Sequence, residues 1–350
     1  VNERENGRVG DGREAARDRM RRIAAETVEI ARGGAYVCRG EKIVIEEAQR
    51  RSEEDSILIT PERGAKIVRE FGRAEPDVSS ALREEAEPES DNGAAASGEA
   101  ALTAKRAEPR EGAGEAADGE AKRAASAGPL SAGRPRTDYR VVNESAVKTV
   151  RDLASSGTGR IGLLNFASAK NPGGGFLNGA NAQEENLAIA SGLYPTQLKH
   201  PGYYDANRAS GTMMYTHHAI YSPDVVFFRD ERFELTAPPV RASVLTLPAV
   251  NYGQVLLKGE DAELAKAVML ERMRLALAVF AERGDRELVL GAYGCGVFRN
   301  DPADVAGWWR RLLDGEGWAA HFDRVVFAVL DRSKDGRTIR PFERIWGRAL

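Results

Sequence analysis

The sequence of 350 residues has only two cysteines, Cys38 and Cys295, far apart along the chain. That scarcity excludes a disulfide framework and a cysteine-built zinc site. Histidine is nearly as rare, with four in all and one adjacent pair, His217-His218. Neighbours on a strand point to opposite faces, and no cysteine or carboxylate stands at ligand spacing beside them, so no metal is expected. No apolar run approaches the roughly 18 residues that a membrane helix needs. The N-terminal VNERENGRVGDGREAARDRM is polar and lacks the apolar centre of a signal peptide. A formal net charge of −3 gives no general attraction to nucleic acid or anionic lipid. These absences describe a soluble, cytoplasmic protein with no membrane partner and no cofactor demand.

A further absence is local. Residues 84–133, EEAEPESDNGAAASGEAALTAKRAEPREGAGEAADGEAKRAASAGPLSAG, contain no aromatic residue and no isoleucine. Such a composition cannot bury enough apolar surface to offset the entropy of ordering. Residues 78–138 therefore read as a disordered linker or insertion, with a transient Ala/Glu helix as the competing reading. Residues 1–13 read as a disordered N-terminus.

Between these, residues 14–77 carry structure signals. Met20, Ile23, Ala24 and Val28 recur at helical spacing, and Gly33-Gly34 is a helix stop. AYVCRGEKIVIE turns about Arg39-Gly40 as a hairpin, SILIT reads as a strand, and Pro61 opens a helix through about Phe71. This stretch reads as an accessory segment packed on the main domain, residues 139–350. The arginines of RDRMRR at 17–22 read as its solvated face. In the main domain, apolar strands such as RIGLLNFAS, SVLTLPAV and DRVVFAVLD alternate with helical stretches, AQEENLAIASGLY and EDAELAKAVMLERMRLALAVFAERG among them. Asp301 and Pro302 open DPADVAGWWRRLLDG as N-cap and first residue, and Trp308-Trp309 inside it suit core packing. The alternation predicts a three-layer α/β domain with helices on both faces of the sheet.

Two glycine-bearing loops leave strands in this domain, where ligands of such sheets usually sit. In NPGGGFLNGANAQEE, Gly173, Gly174 and Gly175 are followed after seven residues by Gln183, Glu184 and Glu185. Glycines let the main chain approach a ligand, and exposed amides at the next helix N-terminus favour an anion. The plainer readings are a mobile loop and acidic residues that complement a helix dipole. A carboxyl group here could also protonate a leaving oxygen and then activate water. Adjacent helical residues diverge by roughly 100°, so only one of the two can point straight at a given atom. The second loop, GAYGCGVFRNDP, brings Gly294, Cys295 and Gly296 together as candidates for phosphate contact. Val297 and Phe298 either pack beneath it or present Phe298 to a base. Cys295, with no adjacent His or Lys, reads as a packing residue.

The spacing GGG, seven residues, QEE resembles the signature of poly(ADP-ribose) glycohydrolases. LLNFASAKNPGGGF…QEE…SGLYPT resembles the bacterial-type branch, and the likeness continues through IYSPDVVFFRD, LTLPAVN and GAYGCGVFRNDP. The resemblance implies a macrodomain fold with a mixed central sheet, preceded by the helix/hairpin segment. It implies binding of ADP-ribose, hydrolysis of the ribose–ribose O-glycosidic bond of poly(ADP-ribose), and ADP-ribosylated proteins as partners. Carried over, Glu185 matches the catalytic acid and Glu184 the partner carboxylate that contacts ribose hydroxyls. Gly173 to Gly175 match the catalytic loop, with Gln183 beside it in the signature. Residues 294–297 match the diphosphate loop, and Phe298 the position contacting adenine. A macrodomain that binds ADP-ribose without turnover, or a hydrolase of another ADP-ribosyl bond, would use the same pocket.

Overall fold

The computed structural model describes residues 2–72, 136–157 and 159–347, with side chains from residue 14 onward. The first helix, α1 (Asn2–Gly33), begins well before residue 14. Strands β1 (Ala35–Cys38) and β2 (Glu41–Val44) pair antiparallel. Arg39 and Gly40 close that hairpin at φ 53° and 84°, the two positive angles that match a hairpin's twist. Helix α2 (Glu46–Glu54), strand β3 (Ile57–Ile59) and helix α3 (Pro61–Phe71) follow. The Thr60 hydroxyl accepts the Arg63 amide at the start of α3, with Pro61 in the first turn.

Most of the Ala/Glu-rich region lies outside the described residues. The chain is described again two residues before β4 (Asp138–Val142), so residues 136–138, which the composition assigned to the linker, belong to the ordered fold. The Thr137 hydroxyl donates to the Ala319 and Phe322 carbonyls. Next come α4 (Ala146–Ser156), β5 (Ile161–Ala167), a 3-10 turn (Phe176–Asn178), α5 (Gln183–Ala190), α6 (Leu193–Leu198) and α7 (Pro201–Ala209). The second half holds β6 (Ala219–Arg229), β7 (Leu235–Pro248), α8 (Tyr252–Leu257), α9 (Ala262–Arg283) and β8 (Glu287–Leu290). Helix α10 (Pro302–Arg310), strand β9 (Arg324–Ala328) and helix α11 (Arg340–Trp346) complete it. Asp261 and Asp301 cap α9 and α10 through their side chains, and α9 stops at Gly284 with φ 72°. AQEENLAIASGLY is not one helix: it breaks at Ser191, which bridges to Phe227 of β6.

The seven-stranded sheet runs β3-β6-β7-β5-β8-β9-β4. Only β6 opposes the others, which gives a mixed sheet. The accessory segment thus does more than lie on the domain, because β3 is hydrogen-bonded into the sheet as an edge strand. Alternating residues divide the core between two faces. Leu164, Leu245, Leu288 and Phe327 pack toward Met273, Leu277 and Trp309, whereas Leu163, Val244 and Val289 pack toward Val150 and Leu187. Helices cover both faces, so the three-layer arrangement follows from strands that are apolar on both sides.

Candidate active site

Strand β5 positions the first loop. Its pairing with β7 continues to Ala167, but its pairing with β8 ends at Leu163. The two neighbours therefore part beyond Leu163 and open a crevice at the carboxyl ends of the strands. Gln183 occupies the vacated edge: its Oε1 accepts the Phe166 amide at 2.9 Å and its Nε2 donates to the Leu164 carbonyl at 2.9 Å. The carboxamide substitutes for a missing strand partner and docks α5 against β5, so Gln183 acts on the scaffold with both polar atoms.

Glu184, the next residue, points inward and is buried. Its Oε1 accepts from Asn165 Nδ2 at 3.2 Å and Gln197 Nε2 at 3.0 Å, and its Oε2 from the Ser168 amide at 2.6 Å. Burial pushes its carboxyl up to about 8, against the pull of those three donors, and the nearby Glu185 carboxylate adds to the rise. A carboxylate has about four lone-pair sites; with two donors on Oε1 and one on Oε2, the remaining one is on Oε2. Glu185 is half-buried. Its Oε1 accepts the Gly175 amide at 2.9 Å and its Oε2 the Ala182 amide at 3.1 Å. Ala182, at the N-cap, has no side-chain acceptor, so only the glutamate half of a capping box forms.

The geometry of this loop requires glycine. Gly173 and Gly174 have φ 64° and 61°, in the left-handed region. A Cβ on Gly174 would strike Glu185 Oε1 and lie 3.1 Å from Glu184 Oε2. The missing side chain leaves a space on which both carboxylates converge, although their Cα positions diverge around the helix. Gln197 links the parts: its Oε1 accepts the Gly173 amide at 2.8 Å while its Nε2 serves Glu184 and Thr246. Asn165, Gln197 and Thr246 escaped the sequence reading. Asn165 and Thr246 were visible as lone polar residues inside LLNFA and VLTLP; Gln197 carried no such signal.

The second loop faces the same crevice. Cys295 and Gly296 line a cleft of about 410 Å³, together with Phe166, Gln183, Asn186 and Arg332. Glu184, Glu185 and Gly173 to Gly175 are not among its walls; Ala182 and Gln183 join the cleft to the carboxylates at the start of α5. Arg332 comes from the segment after β9, which the sequence reading passed over. The Trp309 indole donates to the Gly291 carbonyl at 3.1 Å, and Asn300 Nδ2 donates to the Val250 and Gly294 carbonyls at 2.9 and 3.1 Å. Gly294 has φ 74°, and a Cβ there would come 2.7 Å from Ala249 Cβ. Burial pushes the Cys295 thiol up, which keeps it protonated and unreactive. Val297 is 84% exposed, so it does not pack beneath the loop. Phe298 is partly buried against the core, 6.1 Å from the Tyr215 ring at 44°.

The remaining candidates take structural places. His217 Nε2 lies 3.7 Å from Glu271 and His218 Nδ1 lies 2.9 Å from the Thr216 hydroxyl, so the pair does not converge. Among the described residues, no three His, Cys, Asp or Glu side chains are grouped to hold an ion. Also among them, no helix is long and apolar enough to cross a membrane.

The family of microbial-type PARG catalytic domains matches residues 24–230 of this chain. No curated protein matches it. Among solved structures, the poly(ADP-ribose) glycohydrolase (PARG) of Thermomonospora curvata is 32% identical with a TM-score of 0.73, covering 93% of this chain and 99% of that one. The same enzyme bound to the inhibitor ADP-HPD is 32% identical with a TM-score of 0.72, over 94% of this chain and 99% of that one. PARG of Deinococcus radiodurans in complex with ADP-ribose is 32% identical with a TM-score of 0.65, over 86% and 97% of the two chains. The macrodomain-like sheet, the glycine loop with its paired carboxylates and these matches agree: the chain belongs to the microbial-type poly(ADP-ribose) glycohydrolase family.

Proposed function

We propose that Glu185 is the general acid and base with which this poly(ADP-ribose) glycohydrolase cleaves the ribose–ribose bond, and that Glu184 positions the ribose. The observation that carries the assignment is the difference in access: Glu185 is half-buried, whereas Glu184 is 3% exposed. A group that meets both a leaving oxygen and a water in each turnover must reach both. In its acid form Glu185 gives its proton to the leaving ribose oxygen as the C–O bond breaks and an oxocarbenium-like centre develops. The carboxylate then takes a proton from water while the water oxygen bonds to the anomeric carbon. ADP-ribose is released and the acid form is restored.

The fourth site of Glu184, on the oxygen nearest Gly174, is open to a ribose hydroxyl, donating to it when protonated and accepting from it when ionised. Main-chain amides of the two glycine loops suit the diphosphate, and we assign Phe298 to stacking on the adenine. ADP-ribosylated proteins are the corresponding partners. A cytoplasmic setting fits the two free cysteines.

Steady-state hydrolysis and ADP-ribose titrations on variants test these roles. Glu185→Gln should lose turnover by about 10²–10⁴-fold, the usual cost of removing a general acid–base, while ADP-ribose still binds. Near-wild-type turnover would remove Glu185 from the chemistry. Phe298→Ala should weaken ADP-ribose binding by about 1–3 kcal/mol if the ring stacks on a base; unchanged affinity would place Phe298 in packing alone.

A further inference from the structure

Helix α9 buries a guanidinium that no carboxylate among the described residues binds. Arg272 is 0% exposed, and its hydrogen bonds run to main-chain carbonyls. Nη1 donates to Met214 at 2.8 Å and to Pro248 at 2.9 Å, while Nη2 lies 3.5 Å from the Tyr215 oxygen. Among the described residues, Nε has no partner. Burying an arginine this way is costly, and a methionine or leucine would serve packing alone at less expense. The cost calls for a function that only a forked donor performs.

The two anchored segments are those on which the second glycine loop rests. Residue 248 ends β7 and leads directly into Ala249, against which Gly294 is packed, and Val250, whose carbonyl takes Asn300. Residues 214 and 215 carry the Tyr215 ring that faces Phe298, and Tyr215 itself has φ 59°, a conformation that costs a non-glycine residue strain. The Asn251 amide donates to the Met213 carbonyl at 3.0 Å, tying the same two segments a second time. The Gly253 amide donates to the Phe298 carbonyl at 2.9 Å, which returns the connection to the loop.

We infer that Arg272 is a positioning residue for ligand binding: its guanidinium clamps residues 214–215 to residue 248 and so sets the shape of the 294–300 loop and the Tyr215–Phe298 wall. The inference rests on the reading of that loop as the ADP-ribose-binding loop. The donors to the two carboxylates are Asn165, Gln197 and the Ser168, Gly175 and Ala182 amides, none of which Arg272 bonds, so Arg272 acts on binding and not on the chemical step.

The test is steady-state kinetics on poly(ADP-ribose), with ADP-ribose titration, for R272M and R272K in the full chain. R272M removes the fork, and R272K keeps the charge with fewer donors. The expected result is a rise in KM and in the ADP-ribose dissociation constant of about tenfold or more in R272M, the scale of one lost charge-assisted hydrogen bond. In R272K the rise is smaller, and kcat stays within about threefold of wild type in both, as expected when only uniform binding is lost. If methionine prevents folding, the same split in R272K supports the inference. Wild-type KM and affinity in either folded variant, or a fall in kcat at unchanged KM, overturns it. An ADP-ribose affinity that falls while the wild-type protein fails to cleave the polymer would instead count against the glycohydrolase reading and leave this one standing.

Discussion

At the residue scale, the two neighbouring glutamates differ because the protein surrounds them differently. Glu184 is enclosed by Asn165, Gln197 and the Ser168 amide, and burial pushes its carboxyl up to about 8. Glu185 is half-buried and is held by the two main-chain amides of Gly175 and Ala182. The raised value has a consequence for stability. In the unfolded chain a glutamate ionises near its ordinary value, so between about pH 4.5 and 8 the folded state binds more protons than the unfolded one. This contribution is complete below the unfolded value and is lost as pH rises toward about 8. Glu184→Gln removes it. The melting temperature of Glu184→Gln relative to wild type should therefore rise steadily from pH 5 to pH 8, as followed by circular dichroism. A difference that does not change with pH would mean that Glu184 is already ionised throughout this range.

At the element scale, the first helix belongs to the first glycine loop as much as to the N-terminal segment. Met20 and Ala24 of α1 pack in one cluster with Phe176 of the loop and with Ala188 and Ile189 of α5. Arg17 Nε donates to the Asn178 carbonyl at 2.8 Å. A Cβ on Gly179 would come 2.6 Å from the Arg17 carbonyl oxygen, so helix and loop are in close main-chain contact. The arginine cluster of α1 therefore has one member that meets the loop, while Arg21 pairs with Asp18 on the exposed face. Met20→Ala should cost about 2–5 kcal/mol of folding stability, the range for truncating a buried methionine. Urea denaturation measures this, and a loss below about 0.5 kcal/mol, the scale of surface changes, would show that α1 does not support the loop. Turnover in the folded variant should fall as well, since Phe176 lies next to Gly175.

At the scale of the whole molecule, the sheet receives strands from both sides of the Ala/Glu-rich region. β3 lies at one edge and β4 at the other. The region between them lies outside the described residues save for its last three, and its composition is all that bears on its role. Replacing residues from about 80 to 135 by a short Gly/Ser linker, on the ground that this composition cannot sustain a core, should leave folding, ADP-ribose binding and hydrolysis close to wild type. Loss of activity with folding intact would give the region a part in function.

Much of this protein was legible in its sequence. Strand and helix identities follow from local periodicity, since β5, β7 and β9 are apolar runs and α9 has both its cap and its stop. The GGG and QEE signature and its order relative to GAYGCGVFRNDP led to the family, because short spacing on one loop is a local property. Other features depended on parts of the chain that meet only after folding. Sequence did not assign β3 to the sheet, since a three-residue strand acquires its identity from the partner edge on β6. It also did not show that Gln183 bonds the Leu164 and Phe166 main-chain groups, because nothing local reveals that β8 ends early and leaves them to be satisfied. The break at Ser191 came from a bridge to Phe227, which overrides the helical preference of the surrounding residues. Helical spacing set Glu184 and Glu185 about 100° apart, but which of them is buried follows from Asn165 and Gln197, brought to Glu184 from a strand and another helix. Spacing along the chain determined which groups the site contains, and burial and hydrogen-bond partners, which are properties of the packed molecule, determined what each of them does.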